Sequence, residues 1–233
     1  MTRRRWIADE VSGNRAALLG PHAEHLARVL RARVGQEFDI STGAEIRRGH
    51  ITTISPERVE FELADILPAV ASLPLTLVLS IFKFDRMEWA IEKCTELGVA
   101  RLIPAIARRT EPHLAAAAPK RLERWRRIAR EAAEQSRRLH PPNISDPLKI
   151  KDAVSLPGST RIVLSEVEDE TTLKQALQSR TADSVAIGPE GGWTESELDL
   201  FRNAGWISAS LGKTILRVET AAIAAVSIVL SEN

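Results

Sequence analysis

Glu190 lies in the stretch Ile187-Gly188-Pro189-Glu190-Gly191-Gly192-Trp193-Thr194, where three glycines and a proline separate the apolar run SVAI from the patterned segment TESELDLF. A tight turn needs one glycine for a positive φ; three so close together point to a backbone that a ligand approaches. The sequence has neither G-x-x-x-x-G-K-S/T nor G-x-G-x-x-G, so the familiar nucleotide phosphate loops are excluded. Glu190 would repel a pyrophosphate, and a loop with an internal carboxylate suits a neutral or cationic ligand. A second charged group, Arg217 and Glu219, follows the turn at Leu211-Gly212 and leads into AAIAAVSIVL. The pair reads either as a structural ion pair or as part of a site. The lone cysteine, Cys94, sits among apolar residues in a helical pattern and reads as a packed thiol. One cysteine excludes an internal disulfide and a cysteine-rich metal site, and no metal is expected.

These residues need elements to hold them. WTESEL is a complete helix start, with Thr194 as cap, Glu197 closing a capping box and Trp193 placed to pack on Leu198. The glycine loop is therefore expected between a strand and a helix, where ligands bind in open α/β sheets. LTLVLSIF, RLIPAIA, RIVLSEV, SVAIG and WISASL read as short buried strands, with helical segments in four of the intervals that follow. That alternation predicts an α/β domain with a parallel sheet covered on both faces. DRMEWAIEKCTELG is expected to be a helix capped by Asp85, with Glu88 three residues on and Gly98 after its end. PKRLERWRRIAREAAEQSRRL is expected to be a longer one, with Leu122, Trp125, Ala129, Ala132 and Leu139 on one seam and Trp125 in the core.

Residues 1–70 read differently. EFDIST, RGHITTIS and RVEFELADI alternate apolar and polar residues as half-buried strands do. PHAEHLARVLRA predicts a short helix with Leu26, Val29 and Leu30 on one face. Pro68 and Pro74 bracket a linker, so a small β-rich domain is expected over 1–70 and the α/β domain over 74–233.

Composition sets the class: 233 residues, 44% apolar and 27% charged, describe an ordinary globular chain. No apolar run approaches the roughly 20 residues a bilayer requires, and MTRRRWIADE lacks the apolar core of a secretory signal, so a soluble cytoplasmic protein without a membrane partner is expected. The net charge of +1 conceals an asymmetry. Residues 101–140 carry eleven Lys/Arg against four Asp/Glu, while residues 141–233 carry eight against thirteen. A polyanion approaching one face would account for such a division.

GPEGGWTESE followed by LGKTILRVETAA is similar to the paired C-terminal motifs of the SPOUT methyltransferases, the α/β-knot class. More narrowly, the chain resembles the RsmE family, which methylates N3 of a uridine in small-subunit (16S) ribosomal RNA. HLARVLRARVGQEF, KCTELGVARLIPAIARRT and RWRRIAREAAEQSRRLHPPNI match that family as well, so the resemblance covers most of the chain. It implies a PUA-like RNA-binding β-barrel followed by a parallel-sheet SPOUT domain with a C-terminal trefoil knot, a topology that periodicity does not reveal. It also implies S-adenosyl-L-methionine (S-adenosylmethionine) as cofactor. By position, the cofactor crevice falls to Leu164, Ser165 and Glu166, to Ile187, Gly188, Glu190, Gly191 and Gly192, and to Leu211, Gly212, Ile215 and Leu216. The glycines would let the backbone close around an adenosyl group, and Glu190 is tolerable near a cationic sulfonium.

Under that resemblance, the uracil N3 must lose a weakly acidic proton before it attacks a methyl group. Arg217 is the candidate donor to the developing anion, and Glu190 or Glu219 the candidate proton acceptor. RNA contact is expected from Arg3, Arg4, Arg5, Arg28, Arg31 and Arg33, and from Arg108, Arg109, Arg126, Arg127, Arg137 and Arg138. His25 is either an RNA contact or a helix-surface residue without a role. The helix expected from about Thr220 is apolar nearly all round, which predicts a homodimer, with each crevice completed by the neighbouring subunit as the resemblance implies. The expected substrate is small-subunit ribosomal RNA within the assembled subunit. Another base or a ribose 2′-hydroxyl as target, or a non-catalytic RNA-binding module, are the competing readings.

Overall fold

Residues 5–69, 72–177 and 181–232 are described in the computed structural model. They group into two units, one of the chain up to Ser72 with Arg130–Pro141, the other of Leu73–Ala129 with Pro142–Asn233.

In the first unit the alternating segments become strands β1 (Arg5–Ile7), β2 (Glu10–Ser12), β3 (Arg15–Leu19), β4 (Glu37–Ser41), β5 (Ile46–Ile54) and β6 (Arg58–Leu67). They form one sheet in the order β1-β4-β5-β6-β3-β2, parallel between β1 and β4 and antiparallel elsewhere. Residues two apart share a face, so Phe38 and Ile40 with Val59, Phe61 and Leu63 turn inward and bury against Trp6, Leu18 and Leu26. At Gly49 a Cβ would come within 2.6 Å of the Ile40 side chain, and the strand passes there only without one.

Helix α1 (Gly20–Glu24) continues as a π-helical turn over His25–Val29. This corrects the expected apolar face. Leu26 is buried, but Val29 and Leu30 are exposed, because the wider turn takes successive side chains out of 3.6-residue phase. His25 lies beside Trp6, with ring centroids 5.7 Å apart.

Arg130–Pro141 joins the first unit through charged contacts. Arg130 reaches Asp9 at 2.8 Å and the Ile7 carbonyl, and the buried Glu134 carboxylate accepts the Ile7 N–H. His22 stands 3.7 Å from Asp9 and 3.9 Å from Glu134. Burial alone would raise the Asp9 pKa; His22, the Leu19 N–H and Arg130 outweigh it and hold the carboxyl below its ordinary value.

The second unit contains β7 (Leu73–Ser80), β8 (Val99–Ile106), β9 (Asn143–Ile144), β10 (Leu148–Lys149), β11 (Arg161–Leu164), β12 (Ser184–Ile187) and β13 (Ile207–Ala209). All pair in parallel, in the order β10-β8-β7-β12-β11-β13 with β9 also on β8. Successive strand residues feed opposite cores. Leu77, Leu102, Ile162 and Val185 bury with Met87, Ile91, Trp125 and Val226, whereas Val78, Ile103, Val163 and Ala186 bury with Trp193, Phe201 and Trp206. Burial on both faces is why these strands read as continuous apolar runs.

The helices are α2 (Phe84–Glu96), α3 (Pro112–Ala117), α4 (Leu122–Gln135), α5 (Ile150–Ala153), α6 (Leu173–Leu177), α7 (Glu195–Asn203) and α8 (Val218–Ser231). Lys83, not Asp85, holds the cap position of α2, and Asp85 lies in the first turn, where its charge favours the positive helix end. Gly98, at φ +101°, follows α2 as expected. On α4, Leu122, Trp125, Ala129 and Ala132 are buried, while Leu139 falls beyond the helix end. Cys94 is enclosed, and burial pushes its thiol up to about 12, as befits a packed residue. Among the described residues no helix is long and apolar enough to cross a membrane.

Candidate active site

Strands β12, β11 and β13 are neighbours, and the pairs Leu164↔Ile187 and Leu164↔Ala209 set their carboxyl ends level. Loops leaving three adjacent, level strand ends must meet. They enclose a cavity of about 400 Å³, lined by Leu164, Ser165 and Glu166 from the first loop, Ile187, Gly188, Glu190 and Gly192 from the second, and Leu211, Gly212, Ile215 and Leu216 from the third. Arg217 and Glu219 at the head of α8, and Arg86 in α2, complete the wall.

Backbone hydrogen bonds fix the first loop to the third. The Ser165 N–H donates to the Ala209 carbonyl at 2.9 Å, Ser210 to Thr171 at 2.8 Å and Leu173 to Ser210 at 2.8 Å. The second loop is held to the first by Trp193, whose Nε1 donates to the Leu164 carbonyl at 2.9 Å. Its ring lies edge-on to Phe201 at 5.0 Å, with Leu198, the expected partner, at the rim of the same cluster. The capping box forms: Thr194 N–H donates to the Glu197 carboxylate at 2.9 Å, and the Thr194 side chain accepts the Glu197 N–H. The Glu197 carboxylate also accepts the Arg108 N–H at 2.7 Å.

The glycines divide by task. Gly192 stands at φ +70°, and an added Cβ would lie 2.5 Å from Glu166 Oε1; one on Gly188 would lie 3.2 Å from the Trp193 ring. Both therefore let the loop close on protein atoms as well as line the cavity. Gly191 differs from expectation: it is not part of the cavity wall, and its Cβ would meet the Arg109 side chain at 3.3 Å.

Glu219 pairs with Arg86 at 3.4 Å, so the ion pair considered for Arg217 and Glu219 involves a different arginine. Glu219 is 6% exposed, whereas Glu190 is exposed to solvent. Arg217 is exposed at the cap position of α8. Sequence reasoning passed over Arg86, although a signal existed. It opens the helix after β7, whose Leu79 pairs with Ile187 at the same sheet edge.

The arginines expected at RNA separate sharply. Arg28, Arg31, Arg33, Arg108 and Arg127 are exposed, and Arg28 pairs with Glu24. Arg126 is exposed but reaches the Ile144 carbonyl, Glu123 and Asp146. Arg109 donates to the carbonyls of Gly191 at 2.6 Å and Trp193 at 3.2 Å, bracing the glycine loop. Arg5 is buried and donates to the Arg137 carbonyl. Arg138 is buried beside Ser72, and burial brings its guanidinium down to about 10. Arg137 is half-buried, at φ +61°. Arg3 and Arg4 lie outside the described residues.

The chain carries a mixed-sheet module and then a parallel sheet with a glycine-lined crevice at its carboxyl edge, the place where open α/β sheets bind their ligands. The RNA methyltransferase domain family matches residues 70–230, and the RNA methyltransferase PUA domain family matches residues 20–64. The ribosomal RNA small subunit methyltransferase E of Rickettsia conorii is 32% identical over 215 residues, 88% of this chain and 85% of that protein. Its counterpart from Aquifex aeolicus is 32% identical over 232 residues, 97% and 98% of the two chains. A crystal structure of the Neisseria gonorrhoeae enzyme bound to S-adenosyl methionine matches with a TM-score of 0.85 and 30% identity, covering 97% of this chain and 96% of that one. The chain belongs to the ribosomal RNA small subunit methyltransferase E family, with a parallel-sheet RNA methyltransferase domain after a PUA-like one.

Proposed function

We propose that the protein transfers the methyl group of S-adenosylmethionine to N3 of a uridine in small-subunit ribosomal RNA. The observation that carries this reading is the convergence of three strand-end loops on one cavity whose wall holds both a guanidinium and a buried carboxylate. The relatives' names support the RNA class, and the solved Neisseria relative, bound to S-adenosyl methionine, supports the cofactor.

The residues fit that cofactor. Leu164, Ile187, Leu211 and Leu216 offer apolar contact to a purine, in a cavity of the size small ligands occupy. Gly212, at φ +119° with open space where a Cβ would stand, leaves backbone accessible. Glu166 and Glu190 supply negative charge that favours a sulfonium and disfavours a pyrophosphate. When bound, S-adenosylmethionine supplies an electrophilic methyl group.

The chain's own part is placement and charge. Holding the base against the cavity accounts for much of the rate in such a transfer. Arg217 donates to the uracil anion that forms as N3 loses its proton, and Glu190 or Glu219 takes the proton. Exposed Arg28, Arg31, Arg33 and Arg108 contact phosphates, with the module of residues 1–70 as RNA-binding domain and the assembled small subunit as substrate. Two copies associate through the outward side of α8. Nucleoside mass spectrometry tests the reading: N3-methyluridine is expected. A 2′-O-methylated product would replace it with another reaction of the same class. No product and no calorimetric binding of S-adenosylmethionine would leave a non-catalytic RNA-binding protein.

A further inference from the structure

We propose that the turn over residues 28–34 takes an unpaired nucleotide of the RNA, one other than the target uridine. Its base would lie on Val29, Leu30 and Val34, and its flanking phosphates on Arg28, Arg31 and Arg33. The proposal rests on the RNA substrate proposed above and adds the form of RNA that this module selects. Ten large apolar side chains are exposed among the described residues, and three of them crowd into this one turn. Val29 is 65%, Leu30 48% and Val34 62% exposed. The three arginines between them are exposed as well. Arg28 pairs with Glu24, but no carboxylate among the described residues pairs with Arg31 or Arg33.

The surface is held from beneath. Leu26 and Ala32 are buried at the foot of the turn, and the Ala32 N–H donates to the Leu26 carbonyl at 3.0 Å. The Leu30 N–H donates to the His25 carbonyl at 3.0 Å, closing the π-helical turn that carries Val29 and Leu30 outward. Arg31 follows at φ +49°, a left-handed conformation that a residue with a side chain adopts at a cost. Beyond Val34, the Gly35 N–H donates to the Ile51 carbonyl at 2.8 Å and the Ile51 N–H to the Gln36 carbonyl at 3.0 Å, which pins the chain to β5. A surface fixed in advance loses little freedom on binding. Its chemistry then chooses the occupant. Three arginines with a single paired carboxylate call for a polyanion. An A-form duplex offers phosphates and riboses but keeps its bases stacked, so it would meet the cations and leave the aliphatic groups in water. A splayed nucleotide presents an apolar base face beside its phosphates and covers both.

The test compares wild type with a variant carrying Val29→Ser, Leu30→Ser and Val34→Ser together, all at exposed positions. The triple variant should unfold at the wild-type temperature and raise the KM for small subunits about tenfold with kcat held. Its salt dependence should match wild type, because no cation is removed. Competition without cofactor then reads the form of RNA. A short oligocytidylate gives the crevice no uracil to hold, and wild type should prefer it about tenfold over a duplex of alternating cytidine and guanosine of the same length. The triple variant should lose that preference. Should it fail to fold, Val34→Ser alone, outside the π-helical turn, is read in the same way, with about a threefold rise in KM expected and a wild-type value overturning the proposal. A folded triple variant with wild-type KM and strand preference would also overturn it. So would a lower scattering mass, which would give the patch to a second copy. Weaker binding to whole subunits with unchanged affinity for protein-free RNA would give it to a ribosomal protein and overturn it too. A wild-type product other than N3-methyluridine, read separately by mass spectrometry, would sink the uridine assignment alone, since the strand preference is measured without cofactor or uracil.

Discussion

Gly192 and Gly191 are adjacent and chemically identical, yet they are set for opposite responses to a side chain. At Gly192, φ is +70° and a Cβ would sit 2.5 Å from Glu166 Oε1, so valine there meets backbone strain and a carboxylate that lines the cavity. Left-handed strain costs roughly 1–2 kcal/mol before any clash, and S-adenosylmethionine binding should fall below detection in calorimetry while unfolding stays cooperative. At Gly191 the Cβ would meet the flexible Arg109 stem at 3.3 Å, so alanine there should bind cofactor within about threefold of wild type, because the stem can move. Equal losses at the two positions would refute the division of tasks. Arg109 acts on the same loop from outside the cavity. Removing its two carbonyl contacts in Arg109→Ala should cost about 1 kcal/mol each in thermal stability and loosen cofactor binding with them.

At the scale of elements, the short-range signals were legible because their physics is short-range. The strands, the capping box at Thr194 and Glu197, and the turn at Gly98 each follow from a few consecutive residues. What was not legible depends on distant partners. The convergence of three loops comes from the strand order β12-β11-β13, which no local pattern encodes. Arg86 acquires meaning only when α2 meets α8, and Gly191 only when Arg109 arrives from beyond β8. The end of α4 is a similar case, since Arg130 and Glu134 look like an ordinary i,i+4 pair until Asp9 and the Ile7 backbone take them up. That network makes a prediction with a sign. The folded Asp9 carboxyl lies below its ordinary value, so its pairing stabilises the folded chain above about pH 4 and is lost as pH falls through the folded value. Midpoints of unfolding should therefore drop below about pH 4, and Asp9→Asn should flatten that drop. Arg130→Met should cost roughly 3 kcal/mol at neutral pH, because it takes a cation from the fully buried Glu134 side chain. A variant as stable as wild type would show the contact to be incidental.

For the whole molecule the two open associations are with RNA and with a second copy. The arginines at Arg28, Arg31 and Arg33 are exposed, whereas Arg5 is enclosed. Phosphate contact is therefore predicted for the first three: replacing all three by alanine should raise RNA KM about tenfold at nearly unchanged kcat and reduce the salt dependence of methylation. Loss of Arg5 should act instead on stability. The second association concerns α8. Ala222, Ala225, Val226 and Val229 are buried within the chain's own core, so aspartate at Ala225 would break that core and report nothing about a dimer. The outward side carries Ile223, Ala224 and Leu230, with Leu230 45% exposed, interleaved with Thr220 and Ser227. Near the cavity, Ile215 is 83% exposed, an apolar side chain on a loop that a partner subunit would cover. Burying such groups is worth roughly 25 cal/mol per Å², and small residues at Ala224 and Ser227 allow a second helix to approach closely. Glutamates placed together at Ile223 and Leu230 should leave the monomer folded, since neither position belongs to the fully buried set, yet convert a two-copy species into a one-copy species in light scattering. Cofactor affinity and methylation should fall together in that variant if Ile215 and its loop depend on the partner. A wild type that scatters as a monomer at micromolar concentration and methylates at full rate would show that each crevice is complete in one chain.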